Sequence, residues 1–440
     1  MSETAADGTV TTAEVEDAAA AMTDAQTAEP GTGAPEDAAE AAELETPAEN
    51  VAERADAPHR GFGITLEEYL LPASRRIQLV AEDGRLLAGE EQGAEPGHEY
   101  PMPSDEELLS AYRHLVIGRR VNDQAYALVR QGRMAVYPSS HGQEASEVAA
   151  AVCLAERDWL FPTYRDTVAV MSRGVPATEV MVAYQGTWHQ GYDPQEHRTS
   201  VQSTPLTTQL LHAVGLAQAA RLKGEDTVVL AMVGDGGTSE GDFHEALNFA
   251  AVFKLPVIFF VQNNKYAISV PLARQSAAPS LAHKAVGYGL AGERVDGNDL
   301  AALLAVLGRA VELCREGLGP FLVEADTYRM QSHTNADDAT RYREDDEVKE
   351  WEAKDPLRRM TAFLTERGVL TEELSAEITA DAEEVATSLR AAMNTDVEVD
   401  PLELFDHVYT VQTPQLAAQR AQLAEELSRT ENQEARAWRP

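Results

Sequence analysis

The chain is poor in positive charge, nearly free of cysteine, and has no long apolar run; each shortage removes a class of function. Lys and Arg total 36 against 73 Asp and Glu, a net charge of −37 over 440 residues. Nucleic acid and anionic membrane surfaces would repel such a chain, so neither is an expected partner. The two cysteines, Cys153 and Cys314, give no disulfide framework and no metal-ligand spacing, which suits a reducing compartment. No apolar stretch reaches the ~20 residues that span a bilayer. The N-terminus lacks a basic region followed by an apolar one, so no signal peptide is expected and the default is a cytoplasmic protein. What is present, 44% hydrophobic and 25% charged residues, is the profile of a globular protein with one large or two ordinary domains.

Positive charge is absent until Arg54. Residues 1–58 are mostly Ala, Glu, Thr, Asp and Pro and cannot bury enough apolar surface to offset their ordering entropy. They are expected to be a disordered acidic tail, either a tether or solubilising arm or a bland extension. Residues 59–103 read as an N-terminal arm with one short strand or hairpin near Ile77-Gln78-Leu79-Val80. Ser104-Asp105-Glu106-Glu107 is a capping box, and the helix it starts should run to about Arg130 and stop near Gly132. Arg119, Arg120 and Arg130 on that helix are expected in solvent or against a partner. Residues 138–143 then feed an Ala-rich helix over 144–154, whose small side chains predict close packing against another helix.

A short buried strand at 159–162 ends in Thr163-Tyr164-Arg165-Asp166. Arg165 there suits bidentate contact with phosphate, and suits a structural ion pair equally well. His189 and His197, in the loop over 186–198, have no helical or cysteine partner and predict no metal. The hydroxyls and carbonyls of residues 203–209, ahead of a helix over 210–222, could cap that helix or hold a hard cation; spacing alone favours capping.

The most informative stretch is 227–269. An apolar strand at 227–233 breaks at Gly234-Asp235-Gly236-Gly237, a helix follows to Lys254, and a second apolar strand at 256–261 ends in Gln262-Asn263-Asn264-Lys265-Tyr266. This is a βαβ unit with polar groups at both strand carboxyl ends, the edge where open α/β sheets bind ligands. Further strands at 292–296 and 320–325, each separated by helices, predict a doubly wound, mostly parallel sheet flanked by helices. The loops carrying Tyr164-Arg165 and His333 should meet the Gly234 and Asn264 turns at one edge. From Asp345 onward the chain reads as charged helices forming an outer or interface layer.

Asp235 and Asn264 each offer one hard oxygen, and the Tyr266 carbonyl could add a third; Mg²⁺ takes such ligands and keeps places for phosphate oxygens. Gly236 and Gly237 let backbone N–H groups approach an anion closely, and a helix N-terminus behind them favours negative charge. The alternative is a βαβ turn with ordinary polar punctuation. Gly-Asp-Gly alone would not decide between them. Asn-Asn one βαβ unit later favours a metal–diphosphate cradle.

These residues resemble the thiamin-diphosphate motif, and the wider chain is similar to the alpha subunit of the decarboxylating component of 2-oxo acid dehydrogenase complexes. The similarity runs from about 104 to 364, more weakly to about 409. It rests on Gly142-Gln143-Glu144-Ala145, Thr163-Tyr164-Arg165, Pro205-Leu206-Thr207-Thr208-Gln209, the Gly234 and Asn264 turns, Val295-Asp296-Gly297-Asn298-Asp299, and residues 327–343. It implies a thiamin-diphosphate-binding α/β fold with a diphosphate domain over 104–364 and a helical region over 365–440. It further implies that Asp235, Asn264 and Tyr266 hold Mg²⁺, and that Tyr164, Arg165, Leu206, Gly234, Asp235, Gly236, Gly237, Asn264, Ala267 and His333 contact the cofactor.

By the same resemblance, Leu206 wedges the cofactor into its bent shape and His333 is the active-site histidine. Ser203, Pro205, Thr208 and Gln209 match a potassium site of branched-chain members. Three positions depart from the pattern. Gln262 stands where some branched-chain members have a phosphate-binding Arg, Ser332 replaces a second histidine, and Thr334 replaces a serine phosphorylated in animal relatives. The implied activity is oxidative decarboxylation of a branched-chain 2-oxo acid with reductive acylation of a lipoyl group, with pyruvate-type and then acetoin-type relatives as alternatives. A catalytically silent scaffold is a reading of another class, disfavoured by intact Asp235, Asn264 and His333. No second strand–Glu–helix domain supplies the glutamate that activates the cofactor. The implied partners are therefore a beta subunit, in an α2β2 assembly, and a lipoyl-bearing acyltransferase.

Overall fold

The computed structural model describes residues 71–94, 99–186, 191–396 and 400–437, and all of them fall in the compact unit Ala57–Pro440. The acidic tail, the first part of the arm and His189 lie outside the described residues. The helices used below are α1 (Asp105–Arg130), α2 (Glu144–Val152), α3 (Thr167–Ser172), α4 (Thr208–Lys223), α5 (Gly241–Val252), α6 (Leu300–Arg315), α7 (Asp345–Glu352), α8 (Pro356–Glu366), α9 (Glu372–Met393) and α10 (Pro414–Ala437). The strands are β1 (Trp159–Phe161), β2 (Val229–Gly234), β3 (Val257–Asn263), β4 (Tyr266–Ala267), β5 (Val270–Pro271), β6 (Ala291–Asp296) and β7 (Phe321–Asp326).

Five strands form one sheet in the order β1-β2-β3-β7-β6, every pair parallel. The alternation along β2 and β3 explains why both faces are covered. Val229, Ala231 and Val233, with Val257, Phe259 and Val261, point into the cluster that also holds Leu210, Ala217, Phe243 and Leu247 of α4 and α5. Leu230, Met232, Ile258 and Phe260 point the other way, against α2 and α6. Period-2 side chains that are apolar on both sides need helices on both sides, which gives the doubly wound arrangement. A small antiparallel pair, β4 with β5, was not anticipated; it folds the segment after Asn264 back on itself.

Ser104 caps α1 by accepting from the Glu107 N–H, while the Glu107 carboxylate accepts from the Ser104 N–H at 2.8 Å. The Ala-rich helix α2 does pack closely, against α1, α3 and α6. The arm lies along the edge strand β6: Ile77 donates to the Arg294 carbonyl at 2.8 Å and its own carbonyl accepts from the Asp296 N–H at 2.9 Å.

Two expectations need correction. Arg119 is not a solvated charge: it bridges Glu144 of α2 at 2.5 Å and Asp355 at 2.8 Å, with its side chain 14% exposed. Arg120 pairs with Glu383 at 2.6 Å because α9 packs along α1 and supplies the partner from 263 residues away. No helix among the described residues is long and apolar enough to cross a membrane.

Candidate functional site

The carboxyl ends of β1, β2, β3 and β7 lie side by side, and the segments that leave them enclose a cavity of about 230 Å³. Each wall follows from a local turn.

After β1, the Thr163 N–H donates to Asp166 Oδ2 at 2.6 Å and the Arg165 N–H to Thr163 Oγ1 at 3.2 Å, a tight turn that aims Arg165 into the cavity. Arg165 is 4% exposed. Its guanidinium donates to the Ser139 carbonyl at 2.8 Å, the His333 carbonyl at 3.1 Å and His333 Nδ1 at 3.0 Å. A guanidinium has no acceptor, so Nδ1 is the accepting nitrogen and the ring proton sits on Nε2. Burial, with the charges of Arg165 and Arg329 beside it, lowers the His333 pKa to about 4. His333 is therefore a neutral imidazole with an N–H to offer.

After β7, Arg329 is 1% exposed and donates to the carbonyls of Tyr266 at 3.3 Å and Ile268 at 2.7 Å and to the Tyr342 hydroxyl at 2.9 Å. Burial, then the nearby Arg165, lowers its pKa. Tyr342 in turn donates to Asp337 Oδ2 at 2.5 Å, and the same oxygen accepts from the His333 N–H at 2.8 Å. The His333 loop is thus tied to Arg329 through Tyr342 and Asp337. Neither Arg165 nor Arg329 has a carboxylate partner among the described residues, although the chain carries a net −37. Two buried, uncompensated guanidinium groups on one cavity ask for an anion.

After β2, Asp235 is 1% exposed and its carboxylate accepts one side-chain hydrogen bond, from Gln275 Nε2 at 2.7 Å. Burial pushes this carboxyl above the usual aspartate range. A Cβ on Gly236 would lie 2.7 Å from the Ala267 Cβ, and one on Gly237 would lie 2.6 Å from Val233 Cγ2, so the backbone can follow this path only without side chains. The chain does not enter α5 directly: a 3₁₀ turn, Gly236–Ser239, comes first and presents its N–H groups at the strand end.

After β3, Asn264 Oδ1 accepts from the Tyr266 N–H at 3.2 Å and its Nδ2 donates to Gln143 Oε1 at 3.2 Å. Gln143 passes the chain to Gln262 at 3.1 Å, and Gln262 donates to the buried Asp166 at 2.5 Å. Gln262 is therefore a link in a chain of amides that orients Asn264. Thr207, Lys265 and Ile268 all have positive φ, +66°, +77° and +55°. For β-branched Thr207 and Ile268, both on the cavity wall, that is stored strain of the kind found where ligands are clamped.

The cavity brings together Tyr164, Arg165, Ser203, Pro205, Leu206, Gln209, Gly234, Asp235, Gly236, Gly237, Asn264, Tyr266, Ala267 and His333. Thr208, the first residue of α4, is the one candidate off the wall. The Gln209 amide is already spent on the Met232 carbonyl at 2.8 Å. The capping reading of residues 203–209 is not what the structure has, since the N-cap Thr207 makes no side-chain cap bond. Leu206 and Ile268 stand 45% and 57% exposed at the mouth.

Sequence reasoning gave no role to Arg329, Gln143, Ile268 or Glu240, which also line the cavity. A signal for Arg329 existed: Thr-Tyr-Arg occurs at 163–165 and again at 327–329, both times just past a buried strand.

The oxygens suit a hard cation in part. A buried carboxylate with no bonded cation is what a divalent ion would satisfy, and the Asn264 and Tyr266 oxygens each accept one hydrogen bond and keep a second lone pair. Among the described residues no cluster of three or more His, Cys, Asp or Glu could hold a metal, which leaves an all-oxygen set of mixed donors.

Comparison with known proteins is informative over most of the chain. Residues 112–397 match the family model described as the dehydrogenase E1 component. The chain is 47% identical over 355 residues to the 3-methyl-2-oxobutanoate dehydrogenase subunit alpha of Mycobacterium tuberculosis, covering 81% of this chain and 95% of that protein. It is 38% identical over 298 residues to the pyruvate dehydrogenase E1 component subunit alpha of Staphylococcus aureus, covering 67% and 80%. The corresponding Bacillus cereus subunit is 36% identical over 326 residues, covering 73% and 88%.

Proposed function

The chain belongs to the dehydrogenase E1 component family, and on that premise we propose that it is the alpha subunit of a branched-chain 2-oxo acid dehydrogenase acting on 3-methyl-2-oxobutanoate. The observation that carries the cofactor side of this reading is the meeting, in one cavity, of Asp235 and Asn264 oxygens with the uncompensated Arg165 and Arg329. A metal-bound diphosphate has both complements. The branched-chain preference rests on 47% identity to such a subunit against 38% to a pyruvate-type one.

Asp235, Asn264 and the Tyr266 carbonyl would hold Mg²⁺, and Arg165, the Gly236 and Gly237 amides and neutral His333 would hold the diphosphate of thiamin diphosphate. When bound, that cofactor supplies the carbanion that allows the 2-oxo acid to lose carbon dioxide and pass its acyl group reductively to a lipoyl group. The protein supplies position and charge. Arg165 fixes the tautomer of His333, which leaves its Nε2–H as a neutral donor able to stabilise negative charge without giving up a full proton. Asp337 holds the same residue through its main chain. Potassium at Ser203, Pro205 and Gln209 is a finer proposal; Thr208 would have to turn toward the loop, and Gln209 would coordinate through its oxygen, because its nitrogen is bound to Met232.

The carboxylates on the cavity wall are Asp235 and Glu240, both from the turn after β2. Neither comes from a separate strand facing the cofactor ring. Leu206 and Ile268 at the mouth, with Val201 and Val270 close to them in the chain, are 42–57% exposed, an apolar surface suited to cover by a beta subunit that brings the activating glutamate. A lipoyl-bearing acyltransferase is then the acceptor.

The test is reconstitution with the cognate beta subunit. Mg²⁺- and thiamin-diphosphate-dependent turnover of 3-methyl-2-oxobutanoate should exceed that of pyruvate by at least tenfold in kcat/KM. Faster turnover of pyruvate reassigns the substrate, and decarboxylation by this chain alone overturns the shared-site argument.

A further inference from the structure

A second cavity, of about 460 Å³, lies at the sheet edge outside β6 and is lined by Arg75, Arg76, Gln78, Glu91, Gly93, Arg294 and Asp326. Its two acids are outnumbered by the cations they pair with. Glu91 forms a two-pronged pair with Arg85 at 3.1 and 3.2 Å. Asp326 faces three cations at once, Arg294 at 2.8 Å, Arg76 at 3.5 Å and Lys265. Of the neighbouring acids, Asp296 is taken by Arg359 at 3.0 Å and Gln78 at 2.6 Å and comes no closer than 3.8 Å to Arg76, and Glu293 accepts from Tyr100 at 3.1 Å. Glu82 comes no closer than 3.8 Å to Arg76 and divides its charge with Lys354.

The cationic side is under-used. Arg75 is exposed, with no hydrogen-bond or ion-pair partner among the described residues. Arg294 Nε is buried and has no acceptor. The wall is also built rather than incidental: Gly93 has φ +76°, and a Cβ there would sit 2.4 Å from the Arg76 carbonyl, so the arm can close over Arg76 only with glycine. In a chain of net −37, a pocket lined by three arginines, two of which share Asp326 with Lys265 among the described residues, is suited to a further anion.

We propose that this pocket is a binding site for a phosphate-type dianion, held by Arg75, Arg76 and Arg294. Guanidinium groups offer paired N–H donors in the geometry that phosphate oxygens accept two at a time, and three of them match a dianion better than a single carboxylate. The site is separate from the thiamin diphosphate cavity, with no lining residue in common, and goes beyond the activity proposed above.

The experiment uses the reconstituted assembly saturated with Mg²⁺ and thiamin diphosphate, so that the first cavity is filled, and titrates inorganic phosphate by equilibrium dialysis with chloride holding ionic strength constant. Saturable binding is expected, weakened about threefold by Arg75→Ser and at least tenfold by Arg294→Gln. Arg75→Ser changes an exposed side chain with no partner among the described residues, so a folding defect does not account for its effect. Absence of saturable phosphate binding overturns the proposal, as does a dissociation constant that stays within a factor of 1.5 in Arg75→Ser.

Discussion

Asp235→Asn separates a metal ligand from a structural carboxylate because the two roles predict opposite signs. The side chain is 1% exposed, its one side-chain partner is the Gln275 amide, and burial raises its pKa. A carboxyl whose folded pKa lies above its unfolded value stabilises the fold below the unfolded pKa and loses that contribution as pH rises through the folded one. Wherever the pH ionises this carboxyl, the ligand-free wild-type chain therefore bears a buried charge that asparagine removes at nearly the same volume. The metal-free variant should be as stable as wild type or more stable, by about 1 kcal/mol, and the difference should vanish in acid. With Mg²⁺ and thiamin diphosphate the sign reverses. Removing one charge from a buried ion pair costs about 3–5 kcal/mol, or roughly two to three and a half orders of magnitude in cofactor affinity. Thermal unfolding of the reconstituted assembly, with and without ligands, reads the first effect, and equilibrium dialysis of the cofactor reads the second. Cofactor affinity within threefold of wild type would refute the metal role, and a metal-free variant several degrees less stable would make Asp235 a structural group.

Two further substitutions test the surroundings. His333 titrates at about 4 because of burial and then the charges of Arg165 and Arg329, so its contribution to stability is present above its unfolded value and lost as pH falls toward 4. Arg165→Met should move that pKa upward while burial keeps it below 6.5, as ring-labelled histidine NMR of the cofactor-free protein can show; an unchanged value removes Arg165 from the account. Gln262→Leu leaves Asp166 Oδ1 and Gln143 Nε2 without their partners, which should cost about 1–3 kcal/mol for each buried group left unpaired. It should also weaken Mg²⁺-dependent cofactor binding, because Gln143 would no longer hold Asn264; denaturant unfolding and dialysis together check both, and a stable variant with normal affinity refutes the amide chain.

The sequence made the main chain of this site readable because its geometry has local causes. Apolar residues on both faces of 229–233 and 257–261 mark strands covered on two sides, the Ser104 and Glu107 spacing marks a helix start, and Gly236 and Gly237 mark a turn where any Cβ would collide. Charge compensation has no local cause. Whether Arg119 faces water or a carboxylate depends on Asp355, 236 residues away, and nothing near Arg119 in the sequence announces that. For the same reason the local sequence is silent on Arg329 and leaves Arg165 between phosphate contact and ion pair. The structure separates the two kinds of arginine by their partners. Arg119 has Glu144 and Asp355, and Arg359 has Asp296 and Asp299. Arg165 and Arg329, buried as deeply as most core residues, have only carbonyls, a phenol and a neutral imidazole. Burial of a cation is costly unless a negative charge completes it. An arginine that the fold buries and leaves without a carboxylate is therefore evidence for a bound anion in a way that an Arg in a motif is not.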